Sequence, residues 1–191
     1  MTATELPELI SHFTGDATGL TLPAHGTALT ADGPALLTSA FHAFGALAAD
    51  NSVARIISLE QCPGGSTGAK FILTLDYARP DPALHTRLFV KFSRDFTDPR
   101  RDHPGRFEMA PEAPFMAMTL LPGFPIKVPR AYFADYHLDS GTGLVITECV
   151  PFGSGQIEPH RPKCLDHETL DHPLTHYRAI VSGLARLCAA H

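Results

Sequence analysis

The sequence has no tryptophan, no cysteine pair spaced as CxxC and no long apolar run. Its four cysteines, Cys62, Cys149, Cys164 and Cys188, stand far apart. That spacing excludes a zinc-knuckle or thioredoxin-type signature and reads as four free thiols, with Cys149 and Cys188 in apolar context. No stretch approaches the ~20 apolar residues that a membrane helix needs. The start, MTATELPELISHF, puts acids and a proline where a signal peptide needs a basic start and an apolar core. A cytoplasmic chain with no membrane partner is expected. Positive charge is also scarce: 15 Lys and Arg against 20 Asp and Glu give a net charge of −5. Proteins that hold nucleic acid by neutralising phosphates are ordinarily basic, so no nucleic-acid partner is expected. Charged residues are only 18% of the chain, but the 44% hydrophobic share makes it a globular mixture rather than a disordered one.

Proline and glycine, in contrast, are abundant, at 17 and 15 of 191 residues, and predict many short elements with fixed corners. The length allows one domain or one and a half, at roughly 100–150 residues each. Residues 1–28 read as an irregular leader punctuated by Gly15, Gly19, Pro23 and Gly26. Over residues 30–49, Leu36, Leu37, Phe41, Phe44 and Leu47 recur at helical spacing. Thr30 or Asp32 suits the cap, Pro34 the first turn, and Gly45 is a weak point. A helix over about 33–48 is predicted, packed against a sheet or the later link.

The period then switches from helix to strand. Strands are predicted at about 53–61, 69–78, 86–92, 130–136 and 144–150, rich in β-branched and aromatic residues and separated by Gly/Pro/Asp turns. The first three follow each other through short loops, which implies an antiparallel meander, because a parallel pair needs a crossover. Residues 94–111 are charged and broken by prolines. A short helix follows over Pro111–Leu121, stopped by Pro122-Gly123. After the fifth strand, Pro151, Gly153 and Gly155 open a polar stretch to about Pro173. A final amphipathic helix over 174–190 carries Tyr177, Ile180, Val181, Leu184, Leu187 and Cys188 on one face. The pattern is α+β: one five-stranded antiparallel sheet with a helix on one face. The expected division is a leader with its helix over 1–50, a sheet domain over 51–151, and a link with its helix over 152–191.

Several residues suggest chemistry. Pro63-Gly-Gly-Ser-Thr-Gly-Ala-Lys70 looks at first like a P-loop. It lacks the glycine directly before the lysine, where Ala69 stands, and it leads into a strand rather than a helix. A glycine loop between antiparallel strands is the other kind of phosphate cradle, whose backbone N–H groups fold over a triphosphate. It is also what an ordinary hairpin needs. Lys91 interrupts the apolar run Leu88-Phe-Val-Lys-Phe92, one strand after that loop. A lysine that clamps phosphate must be anchored by a carboxylate, and Glu112 heads the next helix. The same glutamate also suits the first turn through the helix dipole. Glu148, Cys149 and Val150 end the fifth strand at a Pro/Gly connector, where backbone N–H and C=O groups can face an adenine edge.

These pieces, in this order, resemble the small-molecule branch of the kinase-like phosphotransferases: aminoglycoside phosphotransferases, choline kinases and ecdysteroid-kinase-like proteins. The resemblance covers about residues 52–191 and rests on Gly64-Gly-Ser-Thr-Gly68, Leu88-Phe-Val-Lys91, Glu112-Ala-Pro-Phe-Met116, Val128–Asp135 and Leu144-Val-Ile-Thr-Glu148. It implies a kinase-like N-lobe followed by the start of a helical C-lobe. It also implies ATP and Mg2+ as cofactors, and transfer of the γ-phosphoryl group to a hydroxyl of a small-molecule substrate. Gly64, Gly65, Ser66, Thr67 and Gly68 would cover the phosphates, Lys91 would bind them and Glu112 would pair with Lys91. Glu148, Cys149 and Val150 would be the hinge against adenine. The −5 charge favours a cationic substrate.

Two features depart from the family pattern. Pro111 and Pro114 flank Glu112 where the family helix is smoother, which makes Glu108 the second carboxylate in view. The family's catalytic loop is His-x-Asp with Asn five residues later, followed by a further metal-binding Asp. His-x-Asp occurs here once, at His137-Leu-Asp139, and Leu144 stands five residues on. No catalytic residue or metal ligand is therefore assigned, and a catalytically inert nucleotide-binding or interaction module is the alternative expectation. A rival cluster, His160, Cys164, His167, His172 and His176, suggests a metal site, with His172 and His176 four apart as on one helix face. A solvated histidine-rich link is the ordinary reading of the same residues. The apolar face of the last helix predicts self-association or poor solubility.

Overall fold

The computed structural model describes residues 10–63, 68–93, 107–161 and 170–190. From residue 10 onward the leader is ordered into regular elements, in contrast to the expected irregular segment. His12–Thr14 (β1) and Thr21–Pro23 (β2) pair as an antiparallel hairpin. Its turn is held by Asp135, a fully buried carboxylate that accepts from Ala17 N at 3.1 Å, Thr18 N at 2.9 Å and Thr18 Oγ1 at 2.5 Å. Gly15 and Gly19 form the turn itself, and its anchor lies more than a hundred residues away in sequence.

Helix α1 runs Gly26–Ala43 and starts earlier than predicted. His25 caps it, its ring Nδ1 accepting from Ala28 N at 3.2 Å. Thr30 turns its hydroxyl to Gly26 O and Asp32 pairs with His12, so neither acts as the cap. The helix kinks at Gly33 (φ 71°, ψ −160°), and a second helical stretch begins at Pro34. A proline at a first turn loses no helical hydrogen bond, which explains why the predicted start survives as the second half of a kinked helix.

The main sheet contains β3 (Val53–Gln61), β4 (Lys70–Tyr77), β5 (Arg87–Phe92), β6 (Ala131–His137) and β7 (Thr142–Glu148). The strands lie in the order β3-β4-β5-β7-β6, and every neighbouring pair is antiparallel. The predicted α+β class, five strands and initial meander are all present. β7 starts two residues early because Gly143 N donates to Ser93 Oγ at 2.7 Å and Ser93 N to Gly143 O, prolonging its pairing with β5. It ends at Glu148, so Cys149 and Val150 lie beyond it.

Alternation gives the sheet two faces. Leu73, Leu75, Leu88, Val90, Leu144 and Ile146 point to one side and meet Leu29, Leu37 and Phe41 of α1 in the main core. At about 1.5–3 kcal/mol per buried Leu or Phe side chain, this layer is the chief favourable term of the fold. Val145, Ala134 and Tyr136 point to the other side with Met109, against Ala113 and Met116. Ala113 and Met116 belong to α2 (Glu112–Met118), so this short helix packs on β6 and β7.

Two compact units divide the described chain, Met1–Leu120 with Pro129–Cys149 and Leu121–Val128 with Val150–His191. Helix α1 shares the sheet's core, in keeping with a helix packed against the sheet. In the second unit α3 (Pro173–Ala189) follows His172, which sits in a left-handed conformation at φ 57°. Among the described residues no helix is long and apolar enough to cross a membrane.

Candidate functional site

Lys91 lies between Val90 and Phe92, both buried on the α1 side, so its own side chain points to the α2 side. There Lys91 Nζ and Glu112 Oε1 form an ion pair between β5 and α2. The lysine side chain is 11% exposed and the glutamate 30%, so the ammonium is largely removed from water and depends on its carboxylate. The prolines around Glu112 do not prevent the pairing. Pro111 occupies the N-cap position and Pro114 falls in the first turn, where no helical N–H is lost.

Gly68 closes the loop between β3 and β4. It has φ +70°, and a Cβ there would stand 1.8 Å from the carbonyl oxygen of Phe92. Only glycine allows both the conformation and this approach. Phe92 N donates to Ala69 O at 2.9 Å, which ties the loop's end to the strand carrying Lys91. Lys70 is the direct register partner of Lys91 and donates to Gly68 O at 2.9 Å. Gly64, Gly65, Ser66 and Thr67 lie outside the described residues.

At the end of β7 two backbone N–H groups are engaged within the sheet. Glu148 N donates to Arg130 O at 2.8 Å and Cys149 N to Arg87 O at 3.2 Å, so both are spent on the sheet's hydrogen bonding. Val150 O accepts from Phe152 N at 2.9 Å. The Glu148 carboxylate accepts from Arg130 N at 3.1 Å and lies 3.5 Å from His85 Nε2. These contacts tie the Glu148 carboxylate to the start of β6 and to the loop before β5.

That strand end belongs to a polar cluster absent from the sequence-based prediction. His85 N donates to Tyr132 Oη at 2.6 Å, Tyr77 Oη donates to His85 O at 3.0 Å, and the Arg130 guanidinium covers the Tyr132 ring at 5.1 Å. Burial pushes both tyrosine hydroxyls above their ordinary value, and at Tyr77 the neighbouring Tyr132 adds to the effect. Burial likewise raises the Cys62 thiol, opposed by its backbone hydrogen bond and by Lys70, so this cysteine is a poor nucleophile at neutral pH. An open groove of about 630 Å3, lined by Arg55, Asp76, Pro80 and Pro82 among others, lies at the Tyr77 end of β4. At ~3.3 Å per residue it is roughly 20 Å along the strand from Lys70 and is unconnected with the lysine pair.

Among the described residues the histidines of the cluster do not converge. His172 precedes α3 in its left-handed conformation, so it does not share a helix face with His176. His176 Nε2 lies 3.1 Å from both Glu158 oxygens, and His160 packs against Phe152 at 5.4 Å. Cys164 and His167 lie outside the described residues. Among the described residues no group of three or more His, Cys, Asp or Glu side chains is placed to hold a metal ion. His137 and Asp139 flank the β6–β7 turn, where His137 Nδ1 is 2.8 Å from Ser140 Oγ.

The signal for the Lys91–Glu112 pair was present in the sequence, as a charge inside an apolar strand followed by a carboxylate at a helix start. The signal for Lys70 was not, because it depends on the register between β4 and β5. Comparison with protein-family models, with curated proteins and with solved structures finds no match for this chain.

Proposed function

We propose that this chain holds the nucleotide of an ATP-dependent small-molecule phosphotransferase, similar to the aminoglycoside phosphotransferases, and that its sheet and α2 are the small lobe of a kinase-like fold. The supporting observation is the ion pair that fixes Lys91 to Glu112 beside the end of the β3–β4 glycine loop. A buried ion pair adds little to stability over an apolar pair of the same volume. An ammonium held rigid from a second element is, however, what a phosphate clamp requires. Lys91 would hold the α- and β-phosphates, and the loop ending at Gly68 would cover them.

In the reaction, a substrate hydroxyl oxygen bonds to the γ-phosphorus. The bond from that phosphorus to the β,γ-bridging oxygen breaks, ADP leaves, and the hydroxyl proton passes to a general base. The 191 residues contain no His-x-Asp with Asn five positions on, so no residue here is given the role of that base. No residue is assigned here as a ligand of Mg2+, and no step is routed through it.

Calorimetric titration of the full chain with ATP tests the reading. Binding is expected, and Lys91→Ala is expected to weaken it by about tenfold or more, since a charge-assisted bond contributes roughly 1.5–3 kcal/mol. A wild type that binds no ATP, or a variant that binds it equally well, overturns the proposal. ATP binding without phosphoryl transfer to any hydroxyl acceptor is the behaviour of the inert module.

A further inference from the structure

We draw no further inference here: the strongest candidate, the exposed apolar stripe of Leu174, Tyr177, Ile180, Val181 and Leu184 along α3 in the second unit, carries none because nothing in the structure shows what covers it.

Discussion

The ammonium of Lys91 depends on one carboxylate, and that dependence is measurable. Glu112→Gln leaves a largely buried charge facing a neutral amide and is expected to cost about 1–3 kcal/mol in urea unfolding. In a double-mutant cycle with Lys91→Met, the double variant should lose less than the sum of the two single changes, with a coupling of about 0.5–3 kcal/mol. Simple additivity would show that the pair contributes no coupling energy. Gly68 gives a second residue-scale prediction. An alanine there meets the Phe92 carbonyl and must hold φ near +70°, so Gly68→Ala is expected to destabilise by about 1–3 kcal/mol or to displace the loop. Thermal unfolding reads the first outcome. If the melting point stays and anion binding falls, the loop has moved; if neither changes, the close approach of Gly68 to Phe92 is not a constraint.

Among the elements, the strand ends around His85 carry a pH dependence whose sign is fixed. Tyr77 and Tyr132 both release their protons at higher pH in the folded chain than their ordinary value of 10. As pH rises past 10 the unfolded chain ionises first, so deprotonation draws the equilibrium toward unfolding. The stabilising contribution is intact below that pH and is lost above it. The denaturation midpoint is expected to fall steeply above pH 10. Cys62, raised from 9.0, acts in the same direction. Tyr77→Phe should flatten that fall while costing about 0.5–1.5 kcal/mol at neutral pH, through the bond lost to His85 O. An unchanged alkaline slope in Tyr77→Phe would remove Tyr77 from the account.

At the scale of the whole molecule, each unit has its own character. The sheet unit buries a continuous apolar layer between α1 and the five strands. In the second unit, Leu174, Tyr177, Ile180, Val181 and Leu184 along α3 are each at least half exposed. A contiguous apolar stripe of this kind promotes association, because covering it removes apolar area from water. Sedimentation velocity is expected to show concentration-dependent association of the wild type. Val181→Glu with Leu184→Glu should shift the chain toward monomer. Identical monomeric profiles for both proteins at high concentration would mean that the stripe drives no association.

Period and punctuation alone determined the secondary structure of the sheet. Alternating β-branched and aromatic runs bounded by glycine and proline located all five strands to within two residues, and short loops required the meander. Such signals are local: each strand carries its own alternation, and a lysine in an apolar run is visible without its neighbours. The Lys91–Glu112 pairing was legible for the same reason. The tertiary structure decided what depends on partners distant in the chain. The turn at Ala17 and Thr18 is ordered by Asp135, and the start of α1 is capped by His25. Glu148 and Cys149 spend their N–H groups on strands paired from elsewhere. Lys70 faces Lys91 only because β4 and β5 pair in one register, and a shift of one residue would put the two on opposite faces. That register is set by the packing of Leu73, Leu75, Leu88 and Val90 against α1, a contact between segments that no local pattern records.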